Sequence, residues 1–138
     1  MIEVIDYLMN HIKTKLSPTI VYAPIKVDTL EIGTASSPKK SIALRLIPSP
    51  SGTEYFEGEL INRSFQLLTK SPNQKEALAT CEAITKELRK LTKGQQPQIN
   101  NELKMNRFEV YVEPAFVEIT EAKEYIYTAM FRAEILED

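Results

Sequence analysis

The sequence predicts an α+β domain whose mainly antiparallel sheet is packed by an N-terminal helix and one long central helix. Three observations carry this. Apolar residues recur at helical spacing in two separated stretches, near residues 5–16 and 78–91. Several other stretches alternate with period two. The two kinds are segregated along the chain, where a parallel α/β protein would interleave them. With 138 residues, the chain suffices for one domain with a sizeable core, and residues 1–138 are read as a single domain.

In the first helix Ile5, Leu8, Met9, Ile12 and Leu16 form one stripe. Ser17-Pro18 ends it, because a residue preceding proline disfavours the helical region. Residues 19–32 are rich in β-branched side chains and read as extended chain broken near Pro24. Residues 33–40 read as a loop. Residues 41–47 read as a strand with Ile42, Leu44 and Leu46 on one face, and residues 48–53 as a turn rich in Pro, Ser and Gly. Residues 55–69 read as a long strand, bent or bulged at Gly58.

The sharpest local signal is Ser71-Pro72-Asn73-Gln74. Serine suits the N-cap, proline the first helical position, and glutamine the third. Leu78, Cys81, Ile84, Leu88 and Leu91 continue as a stripe. Lys86, Arg89, Lys90 and Lys93 suit the negative end of the helix dipole, and Gly94 suits the position after the cap. Residues 94–106 are polar and read as a loop, expected to be mobile in an isolated subunit, as are the loops at 33–40 and 48–53. Strands are expected at 107–112 and in a hairpin of 115–120 and 125–136 around a four-residue turn, Glu121 to Glu124. The last strand places Tyr125, Tyr127, Ala129, Phe131, Ala133 and Ile135 on one side.

Composition excludes several function classes. Seventeen basic against nineteen acidic residues give a net charge of −2, unlike an electrostatic binder of duplex DNA. One cysteine and one histidine exclude an internal disulfide and a Cys/His zinc site. His11 lies off the apolar stripe and reads as a surface residue. Cys81 lies on a stripe and reads as a buried thiol. The four glycines are isolated, so no phosphate loop is present. These features predict no cofactor, no metal and no enzymatic activity. No apolar run approaches the ~20 residues of a membrane span. The first residues carry Glu3 and Asp6 and no basic segment, so no secretory leader is expected and synthesis in a reducing cytoplasm is.

Charge is uneven. Residues 109–138 hold eight acids and two bases, a net −6, leaving the first 108 residues at +4. Either this is an ordinary polar sheet face, or acidic and basic surfaces meet in an assembly, or the acidic face repels DNA. On the assembly reading the candidate interface residues are Glu118, Glu121, Glu124, Tyr125, Tyr127 and Phe131 of the hairpin, with Lys39, Lys40, Lys86 and Lys90 as basic counterparts. Tyr and Phe are favoured at interface cores.

The chain order resembles the minor capsid, or tail terminator, proteins of tailed bacteriophages and prophages of Gram-positive bacteria. The residues that carry this are the short N-terminal helix, the strand Phe65-Gln-Leu-Leu-Thr-Lys-Ser running into the helix at Pro72, and the closing hairpin from Glu113 to Glu134. The resemblance implies a virion structural protein that assembles in the host cytoplasm and caps the tail tube with a ring, typically of six subunits. Its partners would be itself, the tail tube protein and the head connector, with DNA passing through unbound and no membrane involved. It implies no catalytic residue. A binding adaptor without chemistry, or a small enzyme, are the alternatives.

Overall fold

The structure is a computed structural model that describes residues 2–47, 54–55 and 58–137. In chain order its elements are α1 (Ile2–Lys15), β1 (Ile25–Val27), β2 (Ser41–Ile47), β3 (Glu54–Tyr55), β4 (Gly58–Ser71), α2 (Gln74–Arg89), β5 (Leu103–Ile119) and β6 (Tyr125–Glu137). The described strands form one mixed sheet in the order β1-β2-β4-β6-β5, with β3 beside the start of β4. β1 runs parallel to β2, whereas the β2·β4, β3·β4, β4·β6 and β5·β6 pairs are antiparallel. The fold is α+β.

β4 organises the sheet. It pairs with β2 from Ser41↔Lys70 to Ile47↔Ser64, and with β6 from Glu59↔Glu137 to Ser71↔Tyr125. Thr69 turns its hydroxyl to the Ala77 carbonyl of α2 at 2.8 Å. Side chains alternate along a strand, so Phe65 and Leu67 also face the helices while Gln66, Leu68 and Lys70 face away. β6 repeats the pattern. Tyr127, Phe131 and Ile135 alternate with Ala129 and Ala133 under α2, and all five are buried. Cys81, Ile84 and Leu88 of α2 meet them, and α1 packs Val4, Ile5, Leu8 and Ile12 against α2 and β2. Phe108 of β5 stacks on Phe131 with ring centroids 5.4 Å apart.

Several sequence expectations shift. Residues 55–69 are not one bent strand: Tyr55 belongs to the separate short strand β3 and pairs with Gly58 at the start of β4. The expected turn at 48–53 lies outside the described residues. Leu46 is more than a third exposed and stands apart from Ile42 and Leu44. The last strand begins at Tyr125 as expected, but the one before it begins earlier than polarity suggested and joins the two segments expected at 107–112 and 115–120. β5 starts at Leu103, because Leu103 and Met105 are buried, and it continues through Pro114 to Ile119. The segment before it is held by backbone bonds from Ile99 N–H to Leu103 O and from Met105 N–H to Pro97 O. Gly94 has φ +72°. It does not directly follow the helix, whose C-cap is Lys90.

The helix cap also moves. Ser71 is the last residue of β4, paired with Tyr125. The N-cap is Asn73, whose side-chain oxygen accepts the Glu76 N–H at 3.2 Å. Ser71 supports the cap from outside, accepting the Asn73 N–H at 3.0 Å and donating to Glu76 at 2.8 Å. Asn73→Ala is therefore expected to cost about 1 kcal/mol, the usual loss at an N-cap. Urea denaturation checks it: a midpoint equal to wild type would move the cap elsewhere.

Candidate assembly surfaces

Three of the residues expected at an interface are interior. Phe131 is fully buried and Tyr127 is 6% exposed. Tyr127 faces α2, where its hydroxyl accepts from Gln74 Nε2 at 3.0 Å. Glu124 is the third. Its carboxylate accepts the Lys39 backbone N–H at 2.6 Å and the Thr120 hydroxyl at 2.7 Å, and it lies 3.5 Å from Lys70 Nζ. Lys70, equally buried, also donates to the Glu31 carbonyl. Burial opposes the charged form of Glu124. The Lys39 amide, the Thr120 hydroxyl and the Lys70 ammonium outweigh it and hold the carboxyl below the usual carboxylate range.

This cluster fastens residues 28–40 to the end of the sheet. Glu31 N–H donates to Ser41 Oγ at 3.0 Å, and Asp28 N–H to the Leu44 carbonyl at 3.1 Å. Gly33 abuts the cluster so closely that a Cβ there would stand 2.2 Å from Glu124 Oε2, so no side chain fits. The turn at 120–124 thus folds back on its own chain. Lys123 completes it at φ +61°.

The remaining candidates are at the surface. Glu118 and Glu121 are exposed, and no partner among the described residues holds them; Tyr125 is half-buried. Lys39 is exposed. Lys40 pairs with Glu76 at 2.9 Å and lies 5.9 Å from the Tyr22 ring centre. Lys86 is exposed, and Lys90 stands 3.9 Å from Glu87. The acids and bases of the candidate set are therefore not brought together within one subunit, except where Glu124 takes the Lys39 amide.

Two features escaped the sequence reading. The first is the far half of β5, an edge of the sheet. Phe116, Val117 and Ile119 are each about half exposed there (51%, 46% and 53%). The run Phe-Val-Glu-Ile was visible, but its edge position depends on topology. The second is an open, mainly apolar groove of about 650 Å³ between α1 and residues 16–25. Met9 and Leu16 form one wall; Val21, Tyr22, Pro24 and Ile25 form the other, with Asp6 and Lys13 on the rim. The second wall is anchored. The Thr80 hydroxyl donates to the Ile20 carbonyl at 2.6 Å, and the Tyr22 hydroxyl to the Lys70 carbonyl at 2.8 Å.

His11 and Cys81 complete the inventory of chemistry-bearing side chains. His11 Nε2 lies 3.2 Å from Glu87, joining α1 to α2, and its ring stacks on Tyr7. Spacing gave no sign of this partner, 76 residues away. Burial pushes the Cys81 thiol up to about 12, so at neutral pH it is a protonated core group. Among the described residues, no group of three or more His, Cys, Asp or Glu is placed to hold a metal ion. Among them, too, no helix is long and apolar enough to cross a membrane.

No protein-family model matches the sequence, and no curated protein matches it. The fold does have solved counterparts. One is a chain of a structure described as the virion of a native gene transfer agent particle. That chain is 11% identical, with a TM-score of 0.65, and the similarity covers 94% of this chain and 91% of the other. The protein is therefore similar in fold, over nearly its whole length, to a component of a virion-like particle.

Proposed function

We propose that this protein is a non-enzymatic structural protein of a phage-like virion, of the minor capsid or tail terminator type. Copies close into a ring, of six subunits in the proteins it resembles. The ring caps the tail tube and joins it to the head connector. It assembles in the bacterial cytoplasm and remains in the particle. The observation that carries this reading is the fold similarity to a virion-particle chain, which spans both chains almost end to end. A shared fold alone does not assign a function. The order of elements and the closing hairpin, which resemble tail terminators in sequence, supply the second support. The acidic segment 109–138 adds a third, because oppositely charged surfaces suit a head-to-tail contact between copies.

Deleting the gene from the genome that produces the particles tests this. The expected result is separate heads and tails in electron micrographs, with tails of irregular length, and recovery when the gene is supplied in trans. Joined particles with tails of normal length in the deletion strain would overturn it.

A further inference from the structure

We infer that the far half of β5 in one copy docks into the groove beneath α1 of the next copy, Phe116, Val117 and Ile119 supplying the apolar contact. The inference rests on the ring reading for its occupant, a second copy of this chain, and adds which two surfaces meet.

The edge itself is the first of four supports. Exposed edge strands are usually blunted by charge, proline or bulges, since an apolar edge invites association. β5 carries Pro114 and shifts register against β6 at four places, two of them between Val112 and Glu118. Those irregularities disfavour continuous strand-to-strand pairing with another chain. Yet three large apolar side chains remain exposed within four residues of one another. The edge is built to exclude a backbone ladder while keeping a side-chain contact.

The receptor is the second. The groove is lined mainly by apolar side chains, with Asp6, Asn10 and Lys13 beside them, and its outer wall is pinned by the Thr80 and Tyr22 hydrogen bonds, so it exists before any partner arrives. The third is charge. Glu118 stands between Val117 and Ile119, and Glu121 follows in the turn, both without a partner among the described residues. Lys13 borders the groove and Lys15 ends the same helix, both exposed and likewise free among the described residues. Asp6 on the rim is of the sign to meet Lys123 of the same turn.

The fourth is placement. The groove adjoins β1 and the apolar strip lies on β5, the two ends of the sheet order. A patch on one edge that fits a pocket near the other makes a head-to-tail contact. Such a contact repeats from copy to copy and closes into a ring when the rotation allows.

Two cysteine variants of the full chain, Val117→Cys and Met9→Cys, test the contact when mixed under mild oxidation. Buried Cys81 is a poor competitor. The expected result is a disulfide-linked dimer in the mixture that neither variant forms alone. Light scattering gives the second readout. Glu118→Lys is expected to weaken self-association about tenfold, and adding Lys13→Glu to restore it. Phe116→Asp is expected to abolish association, with a lowered melting temperature because its ring also packs edge-on against Tyr127 at 5.6 Å; Val117→Asp, which lacks that ring contact, is expected to abolish association with a melting temperature near wild type. Any of these results would overturn the contact: no mixed dimer, a purified wild-type chain that stays monomeric, or a Glu118→Lys chain that associates normally. Failure of the virion reading is seen separately, as wild-type protein missing from purified particles. Particles that contain Phe116→Asp protein and have tails of normal length would overturn the contact and leave the virion role standing.

Discussion

Phe131→Ala is expected to lower the unfolding free energy by about 3–5 kcal/mol, the range for emptying a large aromatic site in a packed core. Phe131 is fully buried, stacks on Phe108 and sits between Ala129 and Ala133 beneath α2. Denaturant unfolding measures the loss from the midpoint at constant slope. This substitution also separates two roles that sequence alone leaves open. A residue serving only an interface between copies would leave the single subunit's stability within about 0.5 kcal/mol of wild type, as surface changes do. A loss that small would remove Phe131 from the core.

The second large effect is at the buried ion pair. Glu124→Gln is expected to cost about 3–5 kcal/mol, because it leaves the Lys70 ammonium enclosed with no countercharge. Replacing both residues, Glu124→Gln with Lys70→Met, is expected to recover part of that loss, since no charge then remains in the interior. Recovery stays incomplete because the Glu31 carbonyl loses its Lys70 donor.

The same pair sets a dependence on acid. Glu124's carboxyl is held below its ordinary range in the folded chain. Over that interval the unfolded state binds the proton and the folded state does not. The stabilisation is thus complete above the ordinary carboxylate pKa of about 4.3 and declines as pH falls toward the depressed folded value. Glu124→Gln is expected to flatten this part of the stability profile. A variant whose stability falls between about pH 5 and 3 as steeply as wild type would assign the acid sensitivity to other carboxylates.

Much of the fold was legible in the residues. Both helices follow from apolar spacing, and β6 follows from alternation, because these patterns report which side of a local element is covered. Cap placement shows where local reading stops. Ser71-x-x-Gln74 and Asn73-x-x-Glu76 both satisfy the pattern of a capped helix start. The choice fell to Asn73 because Ser71 is committed to its pairing with Tyr125. That pairing comes from a strand far along the chain and leaves no mark on the local sequence.

The candidate surface was less legible for the same reason. Both faces of β6 carry apolar residues, so spacing could not say which face meets the subunit's own helices. The structure gave Tyr127 and Phe131 to α2 and left the exposed apolar strip to β5. Counting charges marked Glu124 as one acid among many. Only the long-range fold, which folds 28–40 against the sheet end, brought Lys70, Lys39 and Gly33 to it and removed it from the surface. The sequence by itself determined the α+β class, the helices with their apolar stripes, and the polarity that places negative charge toward the end of the chain. The tertiary structure alone decided which strand is an edge, which acid is buried and where a groove opens. Periodicity records the burial of neighbours three or four residues apart, whereas edges, ion pairs and grooves are made by segments that meet only when the chain is closed.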